Sequence, residues 1–301
     1  MEQKETYRQG AFGELETTDP EWAEIVAAFS QNEVPAASRL TERERMLCIL
    51  SVLLGCQGMG EFRRVLGAAL NGGLDPAAVK ETLYQATAYL GTGRVRDFLE
   101  AANQIMKQHG IALPLPPQGT TDSDSRFEKG LAKQVALFGE DMEKRQTDCP
   151  PLRRNINRWL ADNCFGDYYT RGGLSDRERE MITFCFLLAQ GGCENQLRGH
   201  AAGNFGVGNG KERLYSVVEQ CMPYIGYPRS LNAMGIIDET AAKIEKQKGG
   251  VFHEAIHLYL SCKSLFRRGH CGRGAETGTP EGRKNRDARL RRRVREKKRR
   301  L

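Results

Sequence analysis

The chain has 301 residues, 40% of them hydrophobic and 28% charged, enough to bury one large core or two smaller ones. No apolar run approaches the roughly 18 residues of a membrane span, and the polar start MEQKETYRQG is unlike a secretory signal. The expectation is a cytoplasmic protein whose nine cysteines, odd in number and with no CxxC, are reduced thiols rather than disulfides or a zinc site.

The net charge of +7 is unevenly spread. Between Lys263 and Leu301 stand 16 Lys and Arg against four acids, so the rest, with 29 against 34, is at −5. The body is therefore mildly acidic and the tail strongly basic. Ending in RLRRRVREKKRRL, residues 250–301 read as a solvated, disordered appendage, and their charge would also attract nucleic acid or an anionic surface.

In chain order, DPEWAEIVAAF from Asp19 reads as a leading helix. It is followed by LTERERMLCILSVLL from Leu40, where Thr41 and Glu44 form a capping box ahead of an apolar run. GEFRRVLGAALNGGL from Gly60 and VKETLYQATAYLGTGR from Val79 continue as helices. Asp75 and Pro76 start the second of these, Gly91 stops it, and Val79, Leu83, Ala86 and Leu90 form its buried stripe. The proline-rich ALPLPPQGTTDSDS from Ala112 is a linker, and RFEKGLAKQVALFGEDMEKR after it is a helix.

The pattern then returns. PLRRNINRWLADNCF from Pro151 is a second, loosely matched leading helix, and LSDREREMITFCFLL from Leu174 repeats the capping box with Ser175 and Glu178. CENQLRGHAAGNFGV from Cys193 lies against the Gly60 segment, and LYSVVEQCMPYIGYPR from Leu214, stopped by Gly226, lies against the Val79 segment. The organisation is repeat one over 1–111, a linker over 112–125, repeat two over 126–249 and the tail. No alternating strand pattern interrupts it, so the fold class is all-α, two related bundles of antiparallel helices.

The chemistry-bearing residues gather in repeat two. With a helix starting near Cys193, residues three, four and seven positions on return to one face, which puts Cys193, Gln196, Leu197 and His200 on a stripe. A thiol at a helix start near a histidine is a plausible reactive centre. Cys185, Cys221, Phe184 and Phe186 read as core, and Arg198 points away from His200.

Both repeats resemble the carboxymuconolactone decarboxylase family, which shares its helical fold with alkyl hydroperoxidase D; the whole chain resembles its two-domain members. The resemblance runs from about Asp19 to Ala242. It rests on Arg179 and Glu180 before an apolar helix, the string from Gly192 to His200, and the closing Gly226-Tyr227-Pro228 with Asn232. Hydroperoxidase members carry CxxC followed four residues later by a histidine. Here Gln196 replaces the second cysteine, so that two-thiol relay is not available. Decarboxylase members carry a polar residue there, and the resemblance implies that His200 handles the proton replacing departing carbon dioxide, with Glu180 and Glu194 orienting it. An imidazole titrating near neutrality suits that task.

Repeat one has Met46, Gly60, Arg63 and Gly67 at the places of Glu180, Cys193, Gln196 and His200, and keeps only Glu61 opposite Glu194. It is expected to act as scaffold or as a wall of the pocket, with Cys56 a separate thiol. The preferred reading is an enzyme acting on a carboxylated lactone or related acid, with Gln196 and Arg229 contacting substrate and Arg229 holding its carboxylate. A thiol peroxidase using Cys193 is the alternative, its thiol expected to titrate well below the ordinary value at a helix start. A non-catalytic binding role stays open beside them. No cofactor or metal is called for. Because single-repeat members form rings, the resemblance implies a homo-oligomer, with a trimer favoured.

Overall fold

The structure, a computed structural model, describes residues 12–246, so the basic tail lies outside the described residues. Among the described residues every regular element is a helix, and no helix is long and apolar enough to cross a membrane. Repeat one comprises α1 (Pro20–Ala27), α2 (Glu42–Cys56), α3 (Met59–Asn71), α4 (Pro76–Leu90) and α5 (Thr92–Gln108). Next come α6 (Arg126–Phe138) and α7 (Asp141–Thr147). Repeat two follows with α8 (Arg154–Trp159), α9 (Asp176–Gln190), α10 (Glu194–Gly206), α11 (Lys211–Ile225) and α12 (227–246).

Both capping boxes form. Glu44 N donates to Thr41 Oγ1 while Thr41 N donates to the Glu44 carboxylate at 2.9 Å, and Ser175 and Glu178 repeat the exchange at 2.8 Å. Each box satisfies backbone donors that a helix start leaves open. The helices they open, α2 and α9, are buried almost all round. Met46 to Gly55 and Arg179 to Ala189 are all inaccessible, and a helix without a polar face has to be covered on every side. They therefore pack on each other. Gly55 lies at the crossing, where a Cβ would stand 2.9 Å from Phe186 O and closer still to Ala189.

That requirement also makes the repeats interlock. The fourth helix of each repeat lies on the first long helix of the other, α4 on α9 and α11 on α2. One cluster holding Leu50, Leu54, Phe62 and Leu83 together with Phe184, Phe186 and Val217 spans both. The two bundles expected from the sequence thus share a single core. α4 starts at Asp75, whose side chain accepts from Ala77 N, with Pro76 as first residue, and stops at Gly91 (φ 81°), as the turn chemistry predicts.

Two segments differ from expectation. The single helix expected after the linker breaks at Gly139 (φ 91°) into α6 and α7, because that backbone is one a side chain resists. The leading helices, loosely matched in sequence, both widen into π-helical turns, Ala28–Glu33 after α1 and Leu160–Tyr169 after α8. α6 packs on the second of these at close range. A Cβ on Gly130 would be 2.6 Å from Gly166 N, so both helices cross through glycine. Linker residues are tied to the same segment: Thr121 Oγ1 donates to Gly166 O at 3.0 Å and Gly172 N to Gln118 O at 2.9 Å.

Candidate active site

Glu180 on α9 and His200 on α10 face each other, with Nδ1 2.9 Å from Oε2. Glu180 is fully buried and His200 only 9% exposed. A buried carboxylate costs several kcal/mol unless hydrogen bonds replace its water, and here they do. Its other oxygen, Oε1, accepts from Tyr169 Oη at 3.0 Å. Asn204, one turn beyond His200, pins the two helices together by donating to Glu180 O at 2.9 Å and His200 O at 2.8 Å; Asn209 in turn donates to Asn204 Oδ1. Gly203 leaves the space the carboxylate occupies. A Cβ there would run into Oε2 and come within 3.0 Å of the Phe138 ring.

The polar chain continues past Tyr169. Its hydroxyl is 2.8 Å from Thr183 Oγ1 and 3.0 Å from Tyr89 Oη, and Tyr89 Oη is in turn 3.3 Å from His200 Nε2. Gln85 Nε2 donates to Thr183 Oγ1 at 2.8 Å, and the Cys164 thiol donates to Tyr89 Oη at 3.7 Å. Phe138 from α6 sets its ring edge-on to the imidazole with centroids 5.4 Å apart. Burial, with the neighbouring charged forms of Glu180, Cys164 and each other, holds the Tyr89 and Tyr169 phenols well above their ordinary range. Burial likewise pushes the Cys164 thiol up to about 12. All three stay protonated near neutrality.

Arg179, which carries part of the resemblance, has a different job. It is wholly buried, and it bonds Gln85 Oε1 at 2.7 Å, the carbonyls of Arg171 and Gly172, and Glu81 at 3.3 Å. Arg171 Nε reaches both oxygens of Glu81 at 3.0 Å. This cluster fastens α4 of repeat one to α9 of repeat two and points no charge at His200.

The other expected site residues lie elsewhere. Cys193 caps α10, and His200 follows seven residues on, about 10 Å along the axis at the usual helical rise. The two share a face, as the periodicity predicts, but Cys193 sits at the N-terminus of the helix and His200 at its middle. Cys193 Sγ donates to Leu187 O at 3.4 Å and receives Gln190 Nε2 at 3.6 Å. Burial is the largest influence on this thiol and pushes it up, opposite to the expectation for a helix start. Cys193 lines a cleft of about 30 Å³ with Glu194, Leu197, Arg229 and Asn232.

Arg229 Nη1 donates to Ala189 O beyond the C-terminal end of α9, about 13 Å of helix from Glu180. Its charge acts instead on Cys56, a half-buried thiol whose titration burial raises. Glu194 is exposed at that cleft, and Gln196 is exposed on α10. The corrections are therefore specific. Glu180 and Tyr89, not Glu194, hold the imidazole, and the substrate-contacting places expected of Gln196 and Arg229 are not at His200.

Tyr89, Tyr169, Thr183, Gln85, Cys164 and Phe138 were not foreseen. Among them only Tyr89 had a sequence signal, its place two residues before the helix-stopping Gly91, matched by Tyr224 before Gly226. Among the described residues no group of three or more His, Cys, Asp or Glu is arranged to hold a metal ion.

The chain thus combines a duplicated all-α fold with a buried carboxylate–imidazole pair. The model of the carboxymuconolactone decarboxylase family matches it twice, over residues 20–104 and 155–239, more than half its length. The chain belongs to that family. It is also 27% identical, over 119 residues, to a 4-carboxymuconolactone decarboxylase of Acinetobacter baylyi, an alignment covering 39% of this chain and 88% of that relative. Helices α6 and α7 fall between the two matched segments.

Proposed function

We propose that the protein is a small-molecule enzyme of the decarboxylase type, acting on a carboxylated lactone or related acid, with His200 as its general acid and base. The observation that carries this reading is the 2.9 Å contact between Glu180 Oε2 and His200 Nδ1. A carboxylate on Nδ1 fixes the ring and steadies an imidazolium, leaving Nε2 as the nitrogen that exchanges a proton. When the carbon–carbon bond to the carboxylate breaks, carbon dioxide leaves and the electron pair stays on carbon. The Nε2 proton goes to that carbon, and solvent restores it to the imidazole.

Thiol-dependent peroxide reduction at Cys193 is the weaker reading. A peroxidatic thiol works as the thiolate, and burial makes this one harder to ionise. The two are separated by assaying purified protein with 4-carboxymuconolactone and, in parallel, with hydrogen peroxide and a thiol reductant. The first activity should be present and lost in His200→Gln. Turnover of peroxide that depends on Cys193 but not on His200 would overturn the proposal.

We also infer that copies of the chain associate. α8 exposes Ile156 and Trp159 beside Leu152 and Leu160, and α1, its counterpart in repeat one, exposes Trp22 and Ile25. Apolar stripes of this kind mark contact surfaces, and their presence on both repeats fits closure into a ring. Light scattering should give a discrete oligomer, a trimer by the family's repeat count; a monomer at micromolar concentration would rule this out.

A further inference from the structure

The nitrogen that the proposed chemistry uses, His200 Nε2, is met by a side chain from the other repeat. Tyr89 Oη lies 3.3 Å from it, and the contacts run on through Tyr169 Oη (3.0 Å) and Glu180 Oε1 (3.0 Å) to Oε2 and back to Nδ1 at 2.9 Å. The result is a closed ring of four groups: imidazole, two phenols and a carboxylate. α4 delivers Tyr89, α9 Glu180, α10 His200 and the π-helical turn Tyr169. The other titratable group touching the ring is Cys164, while α6 contributes the apolar Phe138.

Counting protons shows what such a ring can do. With His200 protonated, Nδ1–H donates to Glu180, Nε2–H to Tyr89, Tyr89 to Tyr169, and Tyr169 to the other oxygen of Glu180, so every donor has an acceptor. With Nε2 unprotonated, three hydrogens remain for four contacts. Turning both phenol hydrogens over would pair Nε2 but would strip Glu180 Oε1 of the Tyr169 donation, and a buried charged oxygen left unpaired costs more than a neutral nitrogen. The ring is therefore complete only when His200 carries both protons.

We propose that Tyr89, supplied by the otherwise degenerate repeat one, is a positioning residue for the site in repeat two, its hydroxyl accepting the His200 Nε2 proton while it donates to Tyr169, so that the ring favours the protonated imidazole. The phenols are suited to this because burial keeps both protonated. The inference rests on the reading that His200 carries proton chemistry, and it explains why repeat one, with Met46 and Val65 in place of the dyad, is still needed for the site.

The test is Tyr89→Phe in the full chain, which removes one oxygen and keeps the ring's packing. With 15N-labelled histidine, and His200 assigned by comparison with His200→Gln, the Nε2 resonance should move toward that of a nitrogen with no hydrogen bond. Hydrogen bonds to a charged group are about twice as strong as neutral ones, so the variant should lose its protonated form more readily. Both the His200 titration and the basic limb of the pH–rate profile should move about one unit lower.

Tyr169→Phe should shift both readouts in the same direction, and the double variant should shift them by little more than the larger single one, because both hydroxyls act through one ring. Tyr84→Phe, on the same helix as Tyr89, should change neither. An unchanged Nε2 resonance and titration in Tyr89→Phe would overturn the inference. Activity retained in His200→Gln would instead remove the functional reading and leave the spectroscopic result standing.

Discussion

The two repeats cross in the same way and diverge one residue later. In each, the arginine after the capping box reaches a glutamine on the other repeat's fourth helix. Arg45 Nε donates to Gln220 Oε1 at 2.8 Å, and Arg179 Nη1 to Gln85 Oε1 at 2.7 Å. The next positions are Met46 and Ile49 in repeat one against Glu180 and Thr183 in repeat two. In repeat two Gln85 Nε2 donates to Thr183 Oγ1 and to Arg179 O. In repeat one the matching Gln220 Nε2 is buried with no partner. The arginine–glutamine crossing therefore belongs to the architecture, which both halves keep. The glutamate and threonine belong to the site, which only one half keeps, and losing them left an orphaned amide behind.

The largest test of this asymmetry is at the dyad. His200→Gln should lower turnover on the order of 100-fold or more, as expected for losing a general acid or base. The buried faces of α3 and α10, both 13 residues long, put Val65 rather than Gly67 at the place of His200. Val65→His should add no activity, because Met46 offers no carboxylate opposite it. Steady-state rates of the two variants against the parent check both statements. A gain from Val65→His would show that the halves are chemically closer than their networks imply.

Next in size is Gly203→Ala. The new methyl group must displace the Glu180 carboxylate or the Phe138 ring, and overpacking of this kind costs about 1–3 kcal/mol. Repeat one carries Ala68 at the matching place, where Met46 replaces the carboxylate. A lowered unfolding midpoint together with lost activity is expected. A variant with parental stability and rate would mean that the close approach is easily relieved.

Exchanging the diverged residues sharpens the comparison further. Thr183→Ile should destabilise by about 1–3 kcal/mol, since it takes away one of the two acceptors of Gln85 Nε2 and a partner of Tyr169. Ile49→Thr gives the Gln220 amide an acceptor and should be neutral or stabilising by up to about 1 kcal/mol. Urea unfolding of both variants reads the two signs, and a destabilising Ile49→Thr would show that the unpaired amide is not what separates the halves.

Much of the architecture was legible because it rests on local signals. The two capping boxes, Asp75-Pro76 and the stops at Gly91 and Gly226 each act within a few residues, and each appears where the chain predicts it. The Glu180–His200 pair was legible through the family resemblance. The partners of that pair were not, since Tyr89, Tyr169 and Phe138 reach it from three separate segments, and no spacing along the chain announces a contact made across the crossing of α4 and α9. Helical periodicity also misled at Cys193. It reports which face a residue occupies and says nothing of its height along the axis, so Cys193 and His200 share a stripe yet serve different surroundings.

The smallest effect is expected at that thiol. Cys193 donates to Leu187 O and is half-buried among apolar neighbours, so Cys193→Ser keeps a donor of similar shape and should change stability by no more than about 1 kcal/mol. Its reactivity should also be low. Burial raises its titration above the ordinary thiol value, which leaves little thiolate at pH 7 for alkylation. On the proposed reading, decarboxylation should stay within a few-fold of the parent, because the proton chemistry would lie two turns away in a ring that Cys193 does not touch. Rapid modification of Cys193 by iodoacetamide at pH 7, accompanied by loss of turnover in Cys193→Ser, would place the working chemistry at the α10 N-terminus and overturn its assignment to His200 at the middle of that helix.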